Sequence, residues 1–322
     1  MKAIQISAHG GPEVLRLLDL PDPVAGPGQA LVRLDASGVN YIDVYHRTGL
    51  YQLPLPLVLG QEGAGTVVGV GLGVTRVKPG DRVAWCDVLG SYAELVAAPA
   101  DRLVPIPPGL SNADATALIL QGGTAHYLAC STYPLKAGDT CLVHAAAGGT
   151  GLLLCQIARR RGARVIATVS TEAKAALARE AGATDIILYT RQDFVAETKR
   201  LTEGAGVDVV YDSVGKTTFD GGLNVLRPRG LMVLFGQSSG PVPPFNPSIL
   251  NTRGSLFLTR PKLGDYTKSP EALVARVGEV FSWAAEGWLK VRIGATWALA
   301  EAARAHQSLE GRATTGKLLL LP

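Results

Sequence analysis

The sequence predicts an α/β protein in which a doubly wound parallel sheet is inserted into an irregular β-rich domain. Three observations predict it. From residue 141 onward, short apolar runs alternate with stretches of helical periodicity. Over the first 120 residues, strand-like segments are instead broken by Gly/Pro turns such as Lys78-Pro79-Gly80-Asp81. Between the two regimes a glycine-rich turn joins an apolar run to an apolar-periodic helix. Near-continuous apolar strands separated by helices describe a parallel sheet covered on both faces and wound by right-handed crossovers.

In the first region, residues 29–34, 65–69, 81–85 and 92–96 read as strands of an antiparallel domain. The second region opens with a strand over 141–145, followed by strands at 164–169, 185–189, 207–211, 230–235 and 255–259. Helical spacing falls between them at 172–181, 193–202 and 217–226. After residue 260 come amphipathic helices around 271–286 and 299–309, then a strand over 317–321. Two helices and one strand bury too little to fold alone, so this tail is expected to return to the N-terminal domain. The expected division is therefore 1–122 with 262–322, and 123–261 between them.

The turn carries the first functional signal. Ala146-x-Gly148-x-x-Gly151 is a dinucleotide fingerprint with alanine in first place, preceded by a strand and opening a helix. Bare backbone N–H groups and a helix N-terminus at that point suit a pyrophosphate. An NAD site needs a carboxylate at the end of the second strand. Here that position is Ser170, and Glu172 falls on the next helix's first turn, where it reads as a capping or dipole residue. Lys174, one turn onward, is placed for a 2′-phosphate. The expected cofactor is NADPH. The loop holding Phe235, Gly236 and Ser238 follows the fifth strand, beyond whose carboxyl end ligands bind.

Composition narrows the function classes. A net charge of +4 is mild for 322 residues, and the densest basic cluster, Arg159-Arg160-Arg161, falls at a helix end where cations favour the dipole. A nucleic-acid partner is not expected. No apolar run reaches the roughly 18 residues of a membrane span, and no basic-then-apolar leader opens the chain. Cys86, Cys130, Cys141 and Cys155 show no metal spacing; Cys141 and Cys155 read as small buried hydrophobes, and a reducing cytoplasm fits.

Over essentially its whole length the chain resembles the medium-chain dehydrogenases/reductases, in their zinc-free, ζ-crystallin-like NADPH:quinone oxidoreductase branch. The motifs that carry this are Gly38-Val39-Asn40-Tyr41-Ile42-Asp43, Gly60-Gln61-Glu62-Gly63, Gln121-Gly122-Gly123-Thr124-Ala125, the 144–151 turn with Gln156, Tyr211-Asp212-Ser213-Val214-Gly215 and Gly311-Arg312-Ala313-Thr314. The resemblance implies a Rossmann domain inserted into a GroES-like catalytic domain. It implies cofactor contacts from Thr124, from Ala147, Gly148, Gly149, Thr150 and Gly151 of the turn, from Ser213, and from Tyr189 and Arg312 at the phosphate. Zinc-dependent relatives carry a cysteine where this chain has Asn40 and a histidine where it has Gln61, and the structural-zinc lobe is missing. No metal is therefore expected.

The resemblance implies hydride transfer from NADPH to a quinone, whose own π-system takes up the charge. Asn40 and Gln61 are expected to donate amide hydrogen bonds to the acceptor or the cofactor ribose. Tyr45 and Tyr51, in a loop bordering the cleft, are candidate proton donors alongside water, although aromatic packing is the commoner use of such residues. Asp43 and Glu62 read as structural acceptors. An enone or alkenal double bond makes nearly the same demands on the protein. In another class, the chain would bind NADPH as a structural protein or bind RNA. The strand 255–259 would be an exposed edge, and the resemblance implies that a second subunit covers it in a homodimer.

Overall fold

The computed structural model describes residues 1–322, which form two compact units: Met1–Gly123 with Thr267–Pro322, and Thr124–Tyr266.

The unit Thr124–Tyr266 is built on six parallel strands. In chain order they are Thr140–Val143, Arg164–Val169, Asp185–Leu188, Val207–Asp212, Leu226–Leu234 and Phe257–Thr259. Across the sheet they lie third, second, first, fourth, fifth, sixth. The direction of winding reverses between the first strand and the fourth, the switch point at which open α/β sheets bind ligands. Leu142, Ile166 and Val210 are fully buried at the sheet's centre. Helices Gly149–Arg160, Glu172–Glu180, Phe194–Leu201 and Phe219–Val225 connect the strands. The side chains of Thr171 and Asp193 cap two of them, accepting from the backbone N–H of Lys174 and Val195, so Asp193 precedes its helix instead of opening it. The sixth strand is shorter than 255–259 because Ser255 takes a left-handed φ of 55°.

The other unit carries a seven-stranded sheet and a three-stranded one. The long strand Gln29–Val39 pairs with Glu62–Val70, Leu95–Pro99 and Lys317–Leu321. Leu318 lies opposite Val39 and Leu319 opposite Gly38, so the 317–321 segment completes the sheet beside the 38–43 motif.

Four expectations need correction here. The segment read as a loop around Tyr45 is a helix, Tyr41–Thr48, opened by the Asp43 carboxylate, which accepts from the Asn40 N–H, and closed by Gly49 at φ 78°. A second helix, Asn112–Tyr127, lies within and just beyond the region read as all β; it is apolar around most of its surface, which hides the 3.6-residue period. Ile293–Ala298 forms an extra strand, parallel to Lys317–Leu321, whose edge position leaves its alternate residues exposed. The strand expected at 92–96 is Leu95–Pro99, and Tyr92 is instead a fully buried residue of the polar cluster described next.

Candidate functional site

In the parallel-sheet unit the first strand ends at Val143 and the helix Gly149–Arg160 begins behind a Gly148 cap that no side chain satisfies. The turn is tied to its neighbours: His144 N–H donates to Tyr211 O at 3.1 Å, and Ala146 N–H to Thr168 O at 3.2 Å. His144 Nδ1 meets Thr168 Oγ1 at 2.9 Å, and burial pushes its imidazole pKa down. A Cβ at Gly151 would stand 2.5 Å from Ala145 O and 2.7 Å from Ala146 Cα. Only glycine lets the helix approach this closely, and the approach leaves backbone N–H groups open at the helix start. That is a cradle for a pyrophosphate.

The other residues expected at the cofactor follow the carboxyl ends of consecutive strands. Ser170 follows Val169, Tyr189 follows Leu188, Ser213 follows Asp212, and Phe235 and Gly236 follow Leu234. The last two loops are joined by Phe235 N–H to Asp212 O at 2.8 Å and Ser238 N–H to Ser213 O at 3.1 Å. Buried Asp212 shapes them by accepting from Val214, Gly215 and Thr218, and Arg260 braces the carbonyls of Leu234 and Gly236. Beside Ser170, exposed Arg191 reaches Glu172 at 3.7 Å, and Thr190 Oγ1 donates to Ser170 O at 2.9 Å. Thus no carboxylate follows the second strand directly, and the nearest one faces an arginine that sequence reasoning missed. Thr124, Ala147 and Thr150 lie in this unit, Arg312 in the other.

The unit built on the long strand holds a buried polar chain. Asn40 caps the helix Tyr41–Thr48 and is 5% exposed. Its Oδ1 accepts from Lys317 Nζ at 2.9 Å and Gln121 Nε2 at 3.2 Å, while its Nδ2 donates to Glu62. Lys317 and Glu62 form an ion pair with neither side chain exposed. Gly38 makes room for it, since a Cβ there would overlap Glu62 Oε2 and Lys317 Cε. Asn40's amide thus links the ion pair to Gln121, its second Nδ2 hydrogen having only Gly38 O at 3.5 Å. In addition to the role expected of it, Asn40 holds Glu62, Lys317 and Gln121 together.

From Asp43 the chain continues outward. Asp43 Oδ2 accepts from Asn40 N–H at 2.8 Å and Tyr92 Oη at 3.0 Å. Tyr92 Oη in turn meets His306 Nε2 at 3.1 Å, and His306 Nδ1 accepts from Arg47, which grips Glu310 with two bonds of 2.8 Å. Arginine only donates, so His306 carries its proton on Nε2 and donates to Tyr92, which donates to Asp43. Burial pushes the Asp43 carboxyl up to about 7. Burial, with the Arg47 charge beside it, holds His306 down to about 3.

Tyr45, nearly buried, packs edge-on against half-exposed Tyr51, with ring centres 5.2 Å apart. Gln61 lies partly exposed just before Glu62. The residues of this unit expected at the reacting centre, Asn40, Tyr45, Tyr51 and Gln61, thus lie along the helix Tyr41–Thr48 and beside Glu62. Lys317, Tyr92, His306 and Arg47 were missed. The available signal was a lysine heading a run of leucines at 317–321, where an apolar residue would suit the strand.

The chain matches two family models: an alcohol dehydrogenase GroES-like domain over residues 26–108 and a zinc-binding dehydrogenase over 149–263. Asn40 and Gln61 stand where the resemblance implies zinc ligands in the metal-dependent relatives, and no three His, Cys, Asp or Glu side chains cluster to hold a metal. The chain is 48% identical to a quinone oxidoreductase of Pseudomonas aeruginosa, over 100% of this chain and 99% of that protein. It is 41% identical to a 2-haloacrylate reductase of a Burkholderia species, over 99% of this chain and 98% of that protein. The structure of Escherichia coli quinone oxidoreductase complexed with NADPH superposes with a TM-score of 0.98, at 44% identity and full coverage of both chains.

Proposed function

The chain belongs to the quinone oxidoreductase family of the medium-chain dehydrogenases/reductases, and from that premise we propose that it uses NADPH to reduce quinones. The observation that carries the reading is the cradle at Gly148–Gly151, at the switch point of a parallel sheet whose second strand is followed by Ser170 instead of an acid. In this reading Thr124–Tyr266 is the dinucleotide-binding domain and the other unit the catalytic domain.

Ala147, Gly148, Gly149, Thr150 and Gly151 would hold the pyrophosphate through backbone N–H groups and the helix dipole. Ser170, Lys174 and Tyr189 would hold the 2′-phosphate, and Thr124, Ser213, Phe235, Gly236 and Ser238 the nicotinamide half. When bound, the reduced nicotinamide supplies the hydride. Tyr45 and Tyr51 offer ring faces for a planar acceptor and hydroxyl protons at Oη, with Gln61 as a donor to the developing oxyanion. Water is the alternative proton source. The chain's part is positioning and water exclusion, for which a conjugated acceptor needs no Lewis acid.

The four cysteines are all free thiols, as suits the reducing cytoplasm we propose as the setting. The edge strand Phe257–Thr259, with Phe257 57% exposed, is proposed to pair with a second copy in a homodimer. The kinship to a 2-haloacrylate reductase favours an activated carbon–carbon double bond as the second class of acceptor.

The test is the decay of the reduced-nicotinamide absorbance band with a panel of quinones and activated alkenes. Fast loss of NADPH with quinones, slow loss of NADH and indifference to chelators are expected. Turnover of alkenes alone would reassign the acceptor, and tight NADPH binding without turnover would remove the activity. Full quinone turnover by both Tyr45→Phe and Tyr51→Phe would leave water as the proton source.

A further inference from the structure

The buried chain Glu62–Lys317–Asn40–Gln121 admits one arrangement of its two amides. Lysine only donates hydrogen bonds and a carboxylate only accepts them. Asn40 stands against both, so its Oδ1 must face Lys317, at 2.9 Å, and its Nδ2 must face Glu62. With Asn40 Oδ1 an acceptor, the Gln121 atom that meets it at 3.2 Å must be the donor Nε2. Gln121 Oε1 is then forced to the far side, where it is buried and no protein group bonds it. The backbone next to it is held too, since Leu120 N–H donates to Glu62 Oε1 at 3.4 Å. Buried acceptors are nearly always partnered, and one held in place by an ion pair two residues away calls for a partner from outside the protein.

We propose that Gln121 contacts the ligand, its carbonyl oxygen accepting a hydrogen bond from a hydroxyl or carboxamide N–H, and that Lys317 is the positioning residue that sets its orientation. The inference deepens the reading as an NADPH-dependent quinone reductase and rests on it. Two ligands present such donors: the reduced dinucleotide, through its ribose hydroxyls and carboxamide, and the hydroquinone product. A quinone itself has none.

The test uses the full chain and three variants: Gln121→Leu, Lys317→Arg, and the double variant Lys317→Met/Glu62→Gln, which leaves no unpaired buried charge. Each is titrated with NADPH by nucleotide fluorescence, assayed for quinone reduction with kcat and KM separated, and checked for folding by its unfolding midpoint. If the donor is on the dinucleotide, Gln121→Leu raises the NADPH Kd about tenfold, the worth of one good hydrogen bond. If it is on the hydroquinone, Kd is unchanged and kcat falls by a similar factor. The double variant should show the same signature as Gln121→Leu, whereas Lys317→Arg, which keeps a donor-only cation, should keep Kd and kcat close to those of the unchanged chain. Folded Gln121→Leu with unaltered Kd, kcat and KM overturns the proposal. A double variant that behaves like wild type overturns the part given to Lys317. Failure of the quinone reading shows separately, as wild-type protein that binds NADPH but turns over no quinone; the NADPH titration then decides Gln121 alone.

Discussion

Gly38 shows how little slack the buried polar chain has. A methyl group there would overlap both Glu62 and Lys317, so Gly38→Ala must push apart an ion pair that water cannot reach. The expected cost is about 3 kcal/mol, the range for breaking a buried pair, read as a lower urea midpoint. Further along, Asp43 and His306 flank Tyr92 with opposite responses to pH. Asp43, raised from 3.8 to about 7, contributes stability that is full below about pH 4 and lost as pH rises toward 7. His306, lowered from 6.5 to about 3, contributes stability present above 6.5 and lost as pH falls toward 3. Between these limits the two largely cancel. Asp43→Asn should uncover the histidine, so that unfolding free energy rises with pH from about 4 to 6.5 at up to about 1.4 kcal/mol per unit; a flat profile in that variant would refute the assignment. Asn40, Asp43 and Glu62 were visible in sequence because they sit in compact motifs. Lys317, His306 and Tyr92 were not, because their partners lie 255, 214 and 49 residues away, and one sequence carries no record of contacts across such distances.

Among the elements, the helix Tyr41–Thr48 links the two ends of the polar chain, carrying Asp43 near its start and Arg47 near its end. Arg47 is 1% exposed and its carboxylate partner Glu310 33%. Removing Glu310 leaves a buried guanidinium without a counter-charge, and Glu310→Ala should cost about 2–3 kcal/mol, below the fully buried figure because Glu310 is partly solvated. Thermal unfolding checks it: an unchanged midpoint would mean that His306 and the Gly10 carbonyl alone satisfy Arg47. This helix was illegible in sequence because eight residues give barely two turns of periodicity. Asn112–Tyr127 was missed for the opposite reason, being apolar on too many sides to show a period. The strands Arg164–Val169 and Lys317–Leu321 matched their expected bounds, since β-branched or leucine runs between turn residues admit few other readings.

For the whole molecule, the parallel sheet was the most legible part, because its central strands are buried on both faces and so read as unbroken apolar runs. The edge strand Phe257–Thr259 gives the test at this scale: Phe257→Asp should convert the proposed dimer to a monomer in sedimentation, whereas wild-type monomer would remove the interface altogether. The pairing of Lys317 with Glu62 bears on how the molecule comes into being. Every residue of the parallel-sheet unit lies between these two in the chain. A ribosome therefore makes that unit in full while Glu62 still waits, buried-to-be and uncompensated, for its lysine. The dinucleotide cradle can be ready on the nascent polypeptide, but the polar chain around Asn40 can close only after residue 317 has emerged.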